Sequence, residues 1–401
     1  MDNRQFFLQN VAQTSDFPLA MAFTFAKGSY LYDAEGKKWL DFISGISVSN
    51  IGHRHPKVVS AIKDQADKYL HQMVYGEYLQ TPQILLAQAL VNTLKKHTSV
   101  AGYSIDNVYF TNSGTEAVEG AIKLAKRFTG KPNIVAFEKS YHGSTTGALA
   151  LGEEQFRRNF RPLMPGIQKI RRNELEDLTV IDHNTAAVFT EIVGAEAGIR
   201  PVEKAYLHAL ANRCHEVGAL LVFDEIQTGF GRTGPFWAHE AHGIAPDILL
   251  SAKGMCGGMP IGAFMAPKHI MAVLKDNPIL GHITTFGGHP VSCAASLATL
   301  NVILEEIKPE ETIRKGERIK FILEKHPKVS EVRGVGLMLA AQFPDFETLK
   351  SQIDVYINNG LITDWFLYCD DAIRICPPLN ISDAEIDIFE EIYLTPNVFI
   401  F

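Results

Sequence analysis

The 401-residue sequence predicts an α/β protein. A large, mostly parallel sheet domain is expected, with a smaller α+β domain assembled from the two chain ends. Three observations carry this. Six short apolar runs between residues 107 and 266 alternate with helix-forming sequence. A polar turn between alternating residues lies near the N-terminus, and mixed short strands and helices follow residue 308. The expected division is an N-terminal segment 1–55, a large domain 56–300 and a C-terminal part 301–401, which joins the first segment.

Residues 28–42 (GSYLYDAEGKKWLDF) alternate apolar and polar around an Asp-Ala-Glu-Gly turn, which reads as a β-hairpin. Pro56 to Tyr69 places apolar residues at helical spacing behind a first-turn proline, and Thr81-Pro82 opens a helix through Leu94. The strands are Asn107–Thr111, Asn133–Phe137, Ala186–Glu191, Ala219–Asp224, Asp247–Ser251 and Gly262–Ala266. Their apolar continuity indicates strands covered on both faces, as in a parallel sheet. A long helix is expected over Val291–Ile307, then strands at Leu337–Phe343 and Ala372–Cys376.

Hydrophobic residues make up 46% and charged residues 21% of the chain, enough for a substantial core. The net charge of −7 argues against nonspecific nucleic-acid or anionic-membrane binding. The five cysteines are scattered without a C-x-x-C pair, so neither a disulfide framework nor a zinc site is expected. With no apolar leader pattern and no span-length apolar run, a cytoplasmic protein is expected.

Two charged residues stand out. Asp224 ends the run Ala-Leu-Leu-Val-Phe-Asp, and Lys253 follows Ile-Leu-Leu-Ser-Ala. An ionised group at the end of a hydrophobic strand is costly to bury alone. One chemistry needs both: pyridoxal phosphate binds a lysine amine covalently, and its ring nitrogen needs an acidic partner. A free lysine titrates at about 10.4, so imine formation needs a desolvated, electropositive setting. Asp224 also fits a magnesium-binding acid, but the chain has no G-x-x-x-x-G-K-[ST] loop.

Other motifs are weaker singly. Ser113-Gly114-Thr115 follows a strand and opens a helix, a phosphate-binding arrangement that is also a plain helix cap. Tyr141-His142 lies beyond a strand end, where an aromatic stacks on a planar ring or simply packs. Thr284-Thr285-Phe-Gly-Gly offers hydroxyls to a phosphate. Arg374, inside a β-like run, is a candidate carboxylate clamp or an ordinary ion-paired residue.

In combination these motifs resemble the class III (subgroup II) pyridoxal-phosphate aminotransferases, most closely the acetylornithine/ornithine branch. The resemblance spans about Gly28 to Leu379. It includes Gly52-His-Arg-His-Pro56, Asn112-Ser-Gly-Thr-Glu-Ala117, Phe223-Asp-Glu-Ile-Gln-Thr-Gly-Phe-Gly-Arg-Thr-Gly234 and Thr284-Thr-Phe-Gly-Gly288. It implies a fold-type I architecture and a homodimer with active sites at the subunit interface. Lys253 then matches the Schiff-base lysine, Asp224 the ring-nitrogen partner, Gln227 the residue near the ring hydroxyl and Tyr141 the stacking aromatic. Ser113, Gly114 and Thr115 match the phosphate loop, and His142 and Glu191 fall within the implied cofactor site. Thr285 matches a phosphate ligand serving the neighbouring subunit. Arg374 matches the arginine for the carboxylate of 2-oxoglutarate, and Glu196 the glutamate that neutralises it when an ω-amine donor enters.

Two departures bear on the donor. Many ornithine-type members carry arginine where this chain has Ser144, which cannot grip a carboxylate bidentately. Arg157, Arg158 and Arg161 are candidates to replace it. Val193-Gly194-Ala195 stands for the family's usual Ile-Gln-Gly. The expected reaction is ping-pong transfer from acetylornithine or ornithine to 2-oxoglutarate. Alternatives are putrescine, diaminobutyrate or 4-aminobutyrate as donor, an aminomutase or decarboxylase, and a noncatalytic pyridoxal-phosphate-binding protein.

Overall fold

The computed structural model describes residues 3–96 and 105–394. Near the N-terminus, β1 (Phe25–Lys27), β2 (Tyr30–Tyr32) and β3 (Lys38–Asp41) form an antiparallel meander. The predicted hairpin is its second turn, in which Asp33 accepts the Glu35 and Lys37 amides. Helices Pro56–Ala66 and Thr81–Lys96 follow, the first with proline at its first position, where no N–H is needed.

The main sheet contains β4 (Asn107–Thr111), β5 (Asn133–Phe137), β6 (Ile167–Ile170) and β7 (Thr185–Thr190). After a short ribbon, β8 (Val193–Gly194) with β9 (Arg200–Pro201), it continues with β10 (Leu220–Asp224), β11 (Ile248–Ser251) and β12 (Gly262–Ala266). Across the sheet the order is β4-β12-β11-β10-β7-β5-β6. The pairings among β11, β10, β7, β5 and β6 are parallel; β12 runs antiparallel to both neighbours. Residues of β7, β10, β11 and β12 are buried throughout, which is why they read as unbroken apolar runs. β6 (Ile-Gln-Lys-Ile) escaped the sequence reading because it is a half-buried edge strand.

Helix Gly114–Thr129 crosses between β4 and β5. Ser113 caps it by accepting the Glu116 amide, and Gly130, at φ +69°, ends it in a left-handed turn. Helices Pro290–Glu306 and Pro309–Glu324 leave the sheet region, bent by 80° at their junction. Beyond them β13 (Glu331–Val335), β14 (Met338–Gln342), β16 (Trp365–Phe366) and β17 (Cys369–Ile375) form an antiparallel sheet. Strand β15 (Leu361–Ile362) instead pairs in parallel with β3, tying the C-terminal part to the N-terminal meander.

That pairing builds a second core. Leu40 and Phe42 pack with Ile319, Leu339, Tyr356 and Phe389, and the Phe42 and Phe389 rings stack at 4.4 Å. No single described helix is long and apolar enough to cross a membrane.

Candidate active site

The parallel strands point their carboxyl ends at one edge of the sheet, where open α/β sheets bind ligands. There β5 delivers Tyr141 and His142, β7 delivers Glu191, β10 ends in Asp224, and β11 leads into Lys253. β4 runs into the Ser113 cap. A cavity of about 500 Å³ opens at this edge.

Lys253 lies in the cavity wall and donates from Nζ to Gln227 Oε1 at 2.7 Å. Burial lowers its pKa, opposed by Glu196 and reinforced by Arg374. Its backbone has φ +44°, a left-handed conformation that is strained for lysine. Asp224 is buried beneath. One oxygen lies 2.6 Å from Nδ1 of His142, and the other accepts the Ile226 amide at 3.1 Å. His142 Nε2 is buried without a hydrogen-bond partner among the described residues.

Glu191 is buried beside this pair. Its Oε1 accepts the Ala195 amide at 3.2 Å and its Oε2 the Tyr141 amide at 3.4 Å. Burial raises its pKa to about 7, reinforced by Asp224 and opposed by His142 and Arg172. Tyr141 also lines the cavity, its hydroxyl 3.2 Å from Ser144 Oγ. Thr115 Oγ1 lies 2.7 Å from Thr145 Oγ1 and accepts the Thr145 amide. Gly143, at φ +126°, passes so near that a Cβ there would sit 2.2 Å from Thr115 Oγ1.

Arg374 stands behind the cavity wall. Nη1 and Nη2 each donate to one oxygen of Glu196 at 3.0 Å, Nε donates to Asp364 at 2.9 Å, and the guanidinium lies 4.4 Å from the Phe366 ring centre. Burial works against the cation, but Asp364 and Glu196 more than offset it and raise its pKa. For Glu196, burial works upward, and the Arg374 charge with its hydrogen bonds outweighs it, so the pKa falls. The result is a closed, bidentate buried pair.

The structure therefore brings Ser113, Gly114, Thr115, Tyr141, His142, Ser144, Glu191, Glu196, Asp224, Gln227 and Lys253 to one cavity, with Arg374 behind it. Thr285 is elsewhere: it is exposed, and its carbonyl accepts from His71 at 2.8 Å. The suggestion that Arg157, Arg158 or Arg161 replaces an arginine at Ser144 is not supported, because none lines the cavity. Arg157 and Arg161 are held on the surface by Glu154 at 3.1 and 2.6 Å. Sequence reasoning missed Asp364, Arg172 and the wall formed by Val48, Ile226 and Met259. Asp364 had a signal: an acid ten residues from Arg374 across a strand pair.

These residues fit pyridoxal phosphate. The cavity holds a desolvated amine, a buried carboxylate on its floor, an aromatic wall, and a helix N-terminus with the glycine Gly114 and a hydroxyl from Thr115 for an anion.

The family model for class III aminotransferases matches residues 11–394. The chain is 38% identical to an acetylornithine aminotransferase of Methanopyrus kandleri over 366 residues, 90% of each chain. It is also 38% identical over 323 residues to a [LysW]-aminoadipate semialdehyde/glutamate semialdehyde transaminase of Sulfolobus acidocaldarius, covering 79% of this chain and 80% of that one. A solved ornithine aminotransferase of Toxoplasma gondii, with partial occupancy of PLP at its active site, superposes with a TM-score of 0.88. It is 27% identical and matches over 98% of this chain and 92% of its own.

Proposed function

The chain belongs to the class III aminotransferases, a pyridoxal-phosphate-dependent family, and from that premise we propose that it moves an amino group from an ornithine-type donor to 2-oxoglutarate by ping-pong chemistry. The observation that carries this reading is the grouping of Lys253, Asp224 and the Arg374–Glu196 pair around one cavity.

Pyridoxal phosphate, when bound, supplies an aldehyde that condenses with amines and a protonated pyridine ring that withdraws electrons. Lys253 is the residue that would hold the aldehyde. Its lowered pKa favours the neutral amine that condensation needs. Asp224 would hold the proton on the pyridine nitrogen, and His142, 2.6 Å away, fixes the carboxylate. Tyr141 would stack on the ring, Gln227 and Glu191 would border it, and Ser113, Gly114 and Thr115 would hold the phosphate. With the cofactor bound, Lys253 would be the base that takes the proton from the donor carbon bearing nitrogen and the acid that later returns one.

The Arg374–Glu196 pair accounts for two substrates in one site. With Glu196 closed over Arg374, the guanidinium is neutralised and a donor enters by its ω-amine. When 2-oxoglutarate arrives, its carboxylate takes Arg374 and Glu196 turns away.

The working unit in this reading is a homodimer in which Thr285 of the partner subunit completes the phosphate site. Two features favour it: Thr285 does not reach its own cavity, and exposed Ile84, Ile279, Leu280 and Ile283 line an apolar hollow of about 570 Å³ beside Thr284.

A second reading, an ω-amine donor without a distal carboxylate, is favoured by the cavity wall. Among the described residues Lys253 is the one Lys or Arg lining it, and Ser144 occupies the arginine position. A donor panel with 2-oxoglutarate, read out as glutamate, tests both readings. Acetylornithine and ornithine should lead under the first, and putrescine or other diamines under the second. Glutamate formed from none of them would overturn the transaminase assignment to these substrates.

A further inference from the structure

Glu196 is gripped by more than Arg374. Strands β16 and β17 are joined by the turn Leu367–Tyr368, and both amides of that turn donate to Glu196. The Leu367 amide reaches the side-chain Oε2 at 2.9 Å, and the Tyr368 amide reaches the backbone carbonyl at 3.1 Å. Oε2 therefore takes two donors, Leu367 and Arg374 Nη2, while Oε1 takes Arg374 Nη1. For the carboxylate to turn away from Arg374, all three of these bonds must break. Hydrogen bonds to an ionised carboxylate are the strong ones, so the turn adds directly to the hold on the closed pair.

The sheet alone does not fix this turn. Phe366 pairs with Cys369, but the register slips between Trp365 and Phe366, so the turn leaves the regular ladder. The base of the hairpin is anchored: Phe366 is buried against the Arg374 guanidinium, and Trp365 meets Phe346 edge-on at 5.2 Å. The tip is held differently. Leu367 is 47% exposed, while the Tyr368 ring meets Phe156 edge-on at 5.1 Å. The Tyr368 hydroxyl lies beside Gly152, 3.6 Å from where a Cβ would stand. Phe156 belongs to the short helix Glu154–Arg157, which is tied down by Arg157 Nη1 donating to the Ala150 carbonyl at 2.6 Å. Just beyond the turn, Cys369 Sγ lies 3.3 Å from Arg333 Nη2, and Arg333 Nε donates to the Gly198 carbonyl. The segment that carries Glu196 is thus held by the turn at Glu196 and by Arg333 at Gly198.

We infer that the Leu367–Tyr368 turn positions Glu196 over Arg374 and so sets how the site divides between donor and acceptor, with the Tyr368 ring on Phe156 keeping the turn in place. The inference rests on the proposed exchange of Glu196 for the acceptor's carboxylate. When that carboxylate takes Arg374, Glu196 leaves the Leu367 amide as well, and at this exposed position water takes its place. Loosening the turn weakens the closed pair while leaving Arg374, Asp364 and Lys253 where they are. The donor uses the closed pair and the acceptor the open one, so the two half-reactions move in opposite directions.

The test is Tyr368→Leu in cofactor-loaded protein, with Tyr368→Phe as the variant that keeps the ring. Hydrogen exchange of the segment 365–369 should be faster in Tyr368→Leu and as in wild type in Tyr368→Phe. In stopped-flow half-reactions, the ratio of acceptor to donor kcat/KM should rise about threefold to tenfold in Tyr368→Leu, the strength of one edge-to-face aromatic pair. Tyr368→Phe should leave the ratio unchanged, and Phe156→Leu, from the other ring of the pair, should raise it as Tyr368→Leu does. In a Glu196→Ala background, Tyr368→Leu should add nothing to the ratio, because a residue that acts through Glu196 has nothing left to act on. A merely structural role would lower both half-reactions together and persist in that background. Unchanged exchange in Tyr368→Leu, an unchanged ratio despite faster exchange, or a ratio shift that persists in full without the Glu196 carboxylate overturns the inference. If Glu196→Gln also leaves the ratio unchanged, the exchange at Arg374 has itself failed; if Glu196→Gln shifts the ratio and Tyr368→Leu does not, only the role of the turn has.

Discussion

Glu196→Gln separates the two halves of the proposed reaction. The change keeps the side chain's shape and removes its charge. In the resting structure Glu196 accepts two hydrogen bonds from Arg374 at 3.0 Å and one from the Leu367 amide at 2.9 Å. Both partners are almost fully buried, so little solvent screening applies. Each charge-assisted hydrogen bond is worth about 1.5–3 kcal/mol, and an incoming carboxylate must displace two of them. Asp364 still holds the Nε side, so Arg374 is not left bare. The acceptor should recover about 1.5 kcal/mol, or roughly tenfold in kcat/KM for 2-oxoglutarate. The donor meets the reverse effect, because the Nη side of Arg374, no longer matched by a carboxylate, now faces its amine. Stopped-flow half-reactions measure the two separately. The ratio of acceptor to donor kcat/KM should rise by at least about tenfold, with cofactor occupancy unchanged. An unchanged ratio in a folded, cofactor-loaded variant would refute the switching role of this pair.

Ser144→Arg places a cation at an exposed position of the cavity wall; it should improve acetylornithine over putrescine in donor kinetics, and unchanged selectivity counts against a carboxylate subsite there. Gly143→Ala forces a Cβ to 2.2 Å from Thr115 Oγ1 at φ +126°, so stability should drop by about 2 kcal/mol or more in urea unfolding, and cofactor affinity should fall with it. Glu191 titrates near 7 in the folded protein against an ordinary 4.5, so the folded state holds the extra proton between these values. Its contribution is present below pH 4.5 and lost as pH rises through 7, about 3 kcal/mol in the cofactor-free protein. The stability difference between wild type and Glu191→Gln, measured by urea unfolding at pH 4.5, 5.5 and 7.5, should therefore move against wild type as pH rises; a flat difference contradicts this.

Much of the sheet was legible because burial on both faces leaves continuous apolar runs, as in Leu220–Asp224 and Ile248–Ser251. Their last residues lead directly to Asp224 and Lys253, so the pair emerged with the strands. β6 stayed hidden because Gln168 and Lys169 interrupt it; Lys169 is only seen to belong there once its Nζ is found on the Phe137 carbonyl at 2.7 Å. The strand sense of β12 was equally silent, since a buried strand reads the same in either direction. Contacts made across the fold were the least visible. Asp364 reaches Arg374 through antiparallel pairing of β16 with β17, and Arg172 comes to lie behind Glu191 through the order of the sheet. The basic stretch from Arg157 to Arg161 looked available as a cation source, but Glu154 and the Ala150 carbonyl hold it on the surface.

The most direct test of the account is the identity of the lysine that carries the cofactor. Purified protein is loaded with pyridoxal phosphate, reduced with borohydride, digested and mapped by mass spectrometry. A single modified peptide containing Lys253 is expected, with none in Lys253→Ala. Modification centred on another lysine, or no stable adduct after loading, would contradict the assignment of Lys253 and with it the proposed chemistry.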